Sequence, residues 1–106
     1  MMTDAGNSAV DVPDRQEIEA MPGLVLLEFG TDWCPHCQAA QPVIAAALAA
    51  GPALRHIRVE DGPGRRLGRS YRVKLWPTLI LLRAGEEIGR VVRPTRQDDV
   101  AALLRQ

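Results

Sequence analysis

The chain contains only two cysteines, Cys34 and Cys37, and they stand shortly after a continuous apolar run over residues 24–29. That run is short and contains Val and Phe, so it predicts a buried central β-strand. Pro35 suits the first turn of a helix, and the alanines that follow it are good helix formers. The pattern therefore predicts a strand followed by a helix whose first turn carries both thiols. This order favours a fold in which strands and helices alternate.

A disulfide between these cysteines would close a very small loop, which hardly restrains the unfolded chain, so the pair must serve reactivity or metal binding. At a helix N-terminus, free N–H groups and the helix dipole stabilise a thiolate. A thiolate attacks disulfides, and a neighbouring thiol resolves the mixed disulfide. We therefore interpret the pair first as a dithiol–disulfide exchange site. The alternative is a zinc half-site, which only His36 and His56 could complete as a Cys/His set, and we expect no metal.

The composition fits one globular domain, since 46% of the 106 residues are hydrophobic and 25% are charged. The 13 basic and 13 acidic residues give zero formal net charge, which argues against nucleic acid or an anionic membrane as the main partner. No segment is apolar for long enough to cross a bilayer, and the N-terminus lacks a secretory signal, so we expect a cytoplasmic protein, with a periplasmic one as the alternative if a signal has been removed. Nothing in the sequence demands more than a monomer. One cluster of arginines is interpreted as a solvated helix face. Its members are Arg65, Arg66, Arg69 and Arg72.

Turn residues and hydrophobic periodicity divide the chain into predicted elements. We expect a flexible segment over residues 1–9 and a single domain over residues 10–106. Pro42 lies inside the longest predicted helix and is expected to kink it. Thr95 and Asp98 form a predicted capping box for the last helix. The predicted strands cover residues 9–12, 24–29, 56–60, 78–82 and 88–92, and the predicted helices cover residues 14–21, 35–54, 65–71 and 95–104.

In this order the features resemble the thioredoxin family over most of the chain. Trp33–Cys37 matches the family's Trp-Cys-x-x-Cys motif, and Pro42 matches the proline of its active-site helix. Trp76–Thr78 matches the element whose cis-proline faces the dithiol, and Gly85 fits the hairpin before the last strand. The resemblance implies an α/β thioredoxin fold, with a central mixed sheet of four to five strands flanked by helices on both faces.

The resemblance also implies an enzyme, a disulfide oxidoreductase that exchanges electrons with protein disulfides and is recycled by an upstream reductase. It implies no cofactor beyond the redox-active Cys34–Cys37 disulfide. Cys34 would be the exposed nucleophile at the helix N-terminus, and Cys37, one turn deeper, would be the resolving thiol. His36 would place a positive or hydrogen-bonding group near the Cys34 sulfur and lower its pKa. We expect a redox potential between about −270 mV, the value of thioredoxin itself, and about −120 mV, the value of DsbA.

Glu28 stands where the family has a buried carboxylate below the dithiol. Its place in an apolar run predicts that burial raises its pKa, which suits a proton acceptor for Cys37. The alternative is a glutamate at a strand edge that is satisfied by solvent or by an arginine. His56 or Arg58, on the polar face of the next strand, is the expected partner.

The expected substrate side of the site combines aromatic residues and prolines. Trp33 and Trp76 would form an apolar lip beside the dithiol, next to Pro35. A cis Pro77 would leave the backbone of Trp76 free to pair with an extended substrate.

Five features depart from the common family pattern. Glu28 replaces an aspartate, and Trp76 is unusually large for the residue before the cis-proline. Gly30 replaces a frequent tryptophan, Arg93 replaces a glycine that helps to accommodate substrate, and the dipeptide between the cysteines is Pro-His, as in DsbA-type oxidants. Arg93 and the bulk of Trp76 support a second hypothesis, a non-catalytic binding or chaperone-like module that uses the Trp33, Trp76 and Pro77 surface. A third hypothesis is a glutaredoxin-like enzyme, since Cys-Pro-x-Cys also occurs there.

Overall fold

The computed structural model describes residues 12–106. Every helix and strand predicted from residue 14 onward is present, with ends that move by a few residues. The predicted flexible segment over residues 1–9 lies outside the described residues, as does the predicted strand over residues 9–12 apart from Val12. In chain order the elements are α1 Arg15–Glu19, β1 Leu24–Gly30, α2 Pro35–Ala50, β2 Arg55–Glu60, α3 Arg66–Ser70, β3 Thr78–Arg83, β4 Glu86–Val92 and α4 Gln97–Leu104.

The first apolar run forms the interior of the sheet, as predicted. The strand order is β2-β1-β3-β4, with β1 parallel to β2 and antiparallel to β3, and β3 paired with β4 as an antiparallel hairpin. All residues of β1 between its two ends are buried, because strands lie on both of its sides and helices cover both faces of the sheet. The predicted mixed sheet is therefore confirmed, with four strands among residues 12–106.

Two apolar cores lie on opposite faces of this sheet. Successive strand residues point to opposite faces, so Leu27 joins the core under α1 and α3, whereas Leu26 joins the core under α2 and α4. Glu28 has the same parity as Leu26, and its carboxylate therefore points towards α2. The first core contains Ile18, Val25, Leu27, Phe29, Val59, Leu67, Tyr71, Ile80 and Leu82, and the second contains Leu26, Ala40, Ile44, Ala47, Leu79, Leu81, Val100, Leu103 and Leu104.

Helix α2 begins directly at the first cysteine. Cys34 is its N-cap, with extended backbone angles of φ −76° and ψ 121°, and Pro35 occupies the first helical position. A proline is suited to that position because its fixed φ is helical and the missing N–H has no partner there in any case. Pro42 lies inside the helix, where its missing N–H leaves the carbonyl of Gln38 without the usual helical hydrogen bond. The helix ends at Ala50, before a Gly-Pro pair.

The predicted cap of the last helix is wrong by one residue. Helix α4 begins after Arg96, and the carboxylate of Asp99 accepts from the backbone N–H groups of Thr95 at 3.2 Å and Arg96 at 3.0 Å. Asp98 instead points outward and pairs with the Arg96 side chain at 3.2 Å. Because the helix starts one residue later than Thr95 implied, the third helical position is Asp99.

The turn of the β3–β4 hairpin depends on a glycine that touches α1. Ala84 and Gly85 both have positive φ, 50° and 86°, as a two-residue hairpin turn requires. A Cβ on Gly85 would overlap the backbone carbonyl of Glu19 at the end of α1. The glycine therefore allows the hairpin to lie directly against the first helix.

We predict that Gly85→Ala lowers the free energy of unfolding by about 3 kcal/mol, since it adds left-handed backbone strain and a clash with rigid backbone. Gly23→Ala is the matched control, because Gly23 has φ +72° but nothing within 4 Å of an added Cβ. The control should lose only about 1 kcal/mol, from strain alone. Urea unfolding of both variants measures the difference in the free energy of unfolding. Equal losses would show that the contact with Glu19 does not contribute to stability.

Candidate active site

The Cys34 sulfur caps the first turn of α2. The backbone N–H of Cys37 donates to it at 3.4 Å, and both cysteines are free thiols. Burial raises the pKa of Cys34, but hydrogen bonds from the Cys37 thiol and from the N–H groups of Cys37 and His36, together with the charge of Arg93, outweigh it. The pKa of Cys34 is therefore below its ordinary value, and the helix terminus stabilises the thiolate as the sequence predicted.

The pKa of the Cys37 thiol is shifted in the opposite direction, above its ordinary value. Burial raises its pKa to about 11, and the negative charges of Cys34 and Glu28 add to that effect. The backbone N–H of Thr31 donates to the Cys37 sulfur and lowers its pKa in part. The two thiols thus separate into one that is readily ionised and one that stays protonated at neutral pH. This is the order expected of an attacking thiol and a resolving thiol.

The prediction that Cys34 is exposed is wrong. Cys34 and Cys37 each retain only 5% of their accessible surface. The reason is that the Cys34 sulfur turns back over the first turn of α2 to accept the Cys37 N–H. Cys34 nevertheless lies near the molecular surface, with far less protein around it than Cys37 has. Of the two thiols, Cys34 is therefore the one that an incoming sulfur meets first.

The charge expected from His36 comes from another residue. The His36 side chain is exposed, and only its backbone N–H acts on Cys34. The positive charge near the Cys34 sulfur belongs to Arg93, which follows β4. The replacement of the family's glycine by Arg93 is the one signal of this residue in the sequence, and by itself it supports the non-catalytic hypothesis rather than a role beside the thiol.

Glu28 is buried, as predicted, and it is bound on both oxygens. His56 Nε2 lies 2.7 Å from Oε1, Gln41 Nε2 donates to Oε2 at 2.7 Å, and Arg58 Nε lies 3.9 Å away. The expected pairing with His56 is confirmed, while Gln41 was not foreseen, since it lies on α2 and no motif marks it. Burial raises the pKa of Glu28, but these hydrogen bonds and charges outweigh it, so the net pKa is lowered. The prediction of a raised pKa is therefore wrong.

A small cavity lies between the Glu28 carboxylate and the Cys37 thiol. Its volume is about 40 Å³, enough for a water molecule. The Thr31 hydroxyl at its wall is buried and has no hydrogen-bond partner among the described residues. Gly30 also lines it, and a Cβ there would come within 2.6 Å of the Cys37 sulfur. Glycine at this position thus allows the close approach of the resolving thiol to β1.

Two tryptophans form the expected apolar lip. Trp33 is 71% exposed, and its ring meets that of Trp76 edge-on, with ring centroids 5.9 Å apart. The Trp76 indole N–H donates to Asp61 at 2.9 Å. Pro35 is exposed beside them at the start of α2.

The Trp76–Pro77 bond is cis, as predicted. The expectation that the Trp76 backbone is free is wrong for its carbonyl, which accepts from Arg93 Nε at 2.7 Å. The long guanidinium side chain at position 93 reaches this acceptor, which the family's glycine could not do. Within residues 12–106, the N–H of Trp76 has no hydrogen-bond partner.

No group of three or more His, Cys, Asp or Glu side chains within residues 12–106 is arranged to hold a metal ion. In the same part of the chain, no helix has the length and apolar character needed to cross a membrane.

The sequence model of the thioredoxin family matches residues 9–106. Thioredoxin of Chlamydia trachomatis is 34% identical over 82 residues, which cover 77% of this chain and 80% of that protein. Protein disulfide-isomerase A3 of Gallus gallus is 34% identical over 86 residues, 80% of this chain but 17% of that protein. The structure of reduced thioredoxin 2 from Pseudomonas aeruginosa superposes with a TM-score of 0.82 at 50% identity, covering 99% of this chain and 98% of that one. These matches favour exchange chemistry over the non-catalytic binding module.

We predict that Glu28→Gln makes the free energy of unfolding less dependent on pH in the acidic range. Because the folded pKa of Glu28 lies below its ordinary 4.5, the carboxylate stabilises the fold above the unfolded pKa. That contribution is lost as the pH falls through the folded value. The variant should lose about 1–3 kcal/mol at pH 7 and then fall less steeply than wild type below pH 4.5.

Urea unfolding between pH 7 and pH 3 measures this difference. Glu86→Gln is the matched control, since Glu86 is exposed on β4 and forms no ion pair within the described residues. It should follow the wild-type curve. A Glu28→Gln curve parallel to wild type would contradict the assigned pKa.

Proposed function

This chain belongs to the thioredoxin family and is a thiol–disulfide oxidoreductase, and we propose that Cys34 and Cys37 exchange two electrons with disulfides of other proteins. The observation that carries the proposal is the division between the two thiols, a stabilised thiolate at the mouth of α2 and a protonated thiol one turn deeper. Only the thiolate is a strong nucleophile, so this division fixes which sulfur attacks first.

In the reducing direction, the Cys34 thiolate attacks one sulfur of a substrate disulfide. A bond forms between that sulfur and Cys34 while the substrate disulfide breaks, and the other substrate sulfur leaves as a thiolate that takes a proton from solvent. The Trp33–Trp76 lip supports the substrate during this step, because it offers exposed apolar surface directly beside the reacting sulfur.

The second step requires Cys37 to lose its proton. Two of the causes that raise its pKa are the hydrogen bond and the charge of Cys34, and both are lost when the Cys34 sulfur is bonded to substrate. The pKa of Cys37 therefore falls at the stage where a nucleophile is needed. Its thiolate then attacks Cys34, the bond to substrate breaks, and the second substrate sulfur leaves as a thiolate.

The proton from Cys37 leaves through the cavity that it shares with Glu28. Glu28 is a weak base because its pKa is lowered. It therefore passes the proton on to a neighbouring group and does not retain it. His56 lies 2.7 Å beyond it and has a side chain that is 27% exposed, which connects the buried carboxylate with solvent. Glu28 and His56 together thus give the proton a route out of the core.

One cycle leaves a Cys34–Cys37 disulfide and a reduced substrate. A dithiol reductase restores the enzyme by the same exchange in reverse, and none of these steps calls for a metal or an organic cofactor. Because the exchange needs only one copy of the chain, we propose that the enzyme acts as a monomer, and a cytoplasmic location stays a prediction.

We predict that Cys34→Ser reduces insulin-disulfide reduction to background, because a hydroxyl is not a nucleophile towards sulfur. Cys37→Ser should keep the first step and accumulate a mixed disulfide with substrate. Non-reducing electrophoresis and mass spectrometry of the adduct measure both outcomes, with circular dichroism as the control for folding. Wild-type turnover by Cys34→Ser would refute the nucleophile, and a folded Cys37→Ser protein without adduct would refute the resolving thiol.

A further inference from the structure

Arg93 is held firmly at the edge of the active site. It adopts φ 51°, a conformation that non-glycine residues rarely adopt, and its backbone N–H donates to the Pro77 carbonyl at 2.8 Å. Its Nε donates to the Trp76 carbonyl at 2.7 Å. The backbone bond anchors the residue, and the Nε bond fixes one edge of the guanidinium group. Within residues 12–106 its two terminal amino groups have no hydrogen-bond partner, so four N–H donors remain available.

Arg93 lies next to the dithiol through Pro77, to whose carbonyl its backbone is bonded. The Cys37 sulfur and the Pro77 Cβ would both lie within 4.0 Å of a Cβ on Gly30. The charge of Arg93 is strong enough at Cys34 to help lower the pKa of that thiol. A substrate disulfide that reaches Cys34 therefore brings its neighbouring residues next to Arg93. A planar guanidinium with two free amino groups matches the geometry of a carboxylate better than that of any other side chain.

A second cluster of cations lies on the Asp61 side of Trp76. A surface groove, here called the basic groove, is lined there by Arg65, Arg69, Arg72 and Lys74. Its one acidic side chain, Asp61, accepts the Trp76 indole N–H. Among these cations only Arg65 has an ion-pair partner within the described residues, Glu60 at 3.5 Å. Three of the four arginines interpreted from sequence as a solvated face, together with Lys74, thus border the substrate lip with an excess of positive charge.

We propose that this enzyme selects protein disulfides flanked by acidic residues, with Arg93 binding a carboxylate beside the reacting sulfur and the basic groove attracting further acidic residues of the same segment. The inference rests on the proposed function and names its substrate class. Since the whole chain has zero net charge, the preference would arise from this local asymmetry. Complementary charge mainly raises the rate of productive encounter, and salt weakens it.

The experiment compares two peptides that contain the same internal disulfide and differ only in their flanking residues, Asp in one and Asn in the other. Wild type should reduce the acidic peptide with a kcat/KM about tenfold higher, the factor expected of one charged hydrogen bond. The preference should shrink in 0.5 M NaCl. Equal kcat/KM values for the two peptides would overturn the inference while leaving the exchange chemistry intact.

Variants separate recognition by Arg93 from its effect on the Cys34 thiol. Arg93→Gln should lower the ratio of the two kcat/KM values towards one, leaving only the part that the basic groove supplies, and Arg93→Lys should retain more of the ratio. Arg83→Gln, at the opposite end of β3 from the active site, is the matched control and should keep the wild-type ratio. If Arg93 acts only on the thiol, Arg93→Gln slows both peptides equally and the ratio stays unchanged, which would also overturn the inference.

The basic groove is tested by Arg69→Gln combined with Arg72→Gln. This double variant should lower the rate with the acidic peptide and reduce its salt dependence, with the asparagine peptide little affected. An unchanged salt dependence would show that the basic groove does not contribute to the preference for the acidic peptide. If no enzyme, wild type included, reduces either peptide, the proposed function fails rather than the substrate preference alone.

Discussion

The first turn of α2 and the sulfur that caps it are the contact on which the rest of this site depends. A thiol usually makes a weak hydrogen-bond partner, but a thiolate at a helix N-terminus meets N–H groups that have no other acceptor. The fold supplies this turn by placing β1 in the middle of the sheet, so that the chain leaves the core at Gly30 and enters the helix at Cys34. Pro35 starts the helix, and Gly30 leaves room for the Cys37 sulfur against the strand. Each of these residues acts on the same two sulfur atoms.

Glu28 is the most costly member of the arrangement, because it places a carboxylate in the core under α2. The cost of desolvation is offset by His56 and Gln41, which occupy both carboxylate oxygens, and the result is an acid that stays ionised. Its charge helps to keep Cys37 protonated while Cys34 carries the negative charge. The buried carboxylate therefore widens the difference between the two thiols. In the proposed cycle it also passes on the proton that Cys37 later releases.

The secondary structure could be predicted from the sequence because its signals are local. The apolar run of β1, the Gly85 turn and the Pro35 helix start each depend on neighbouring residues. Apart from the one-residue shift of the α4 cap, the errors concern tertiary contacts and the orientation of side chains, which local patterns do not determine. The net pKa of Glu28 follows from partners on α2 and β2, and the burial of Cys34 follows from the direction in which one sulfur turns.

Arg93 is the clearest example of a tertiary contact that the sequence does not predict. In sequence it is only a glycine replaced by a bulky cation, whereas in the structure it bonds the Trp76 carbonyl and acts on Cys34 from far along the chain. No local pattern could assign it that place. Its position turns a departure from the family pattern into a specific feature of this site.

The account is tested most directly by the pH dependence of alkylation of the reduced protein, with each cysteine followed separately by mass spectrometry. Two interacting thiols titrate as a coupled pair, and the account predicts that Cys34 is alkylated with an apparent pKa well below that of a free thiol, while Cys37 stays unreactive until the pH nears 11. Alkylation of both cysteines at the pH of an ordinary free thiol, or of Cys37 before Cys34, would contradict it.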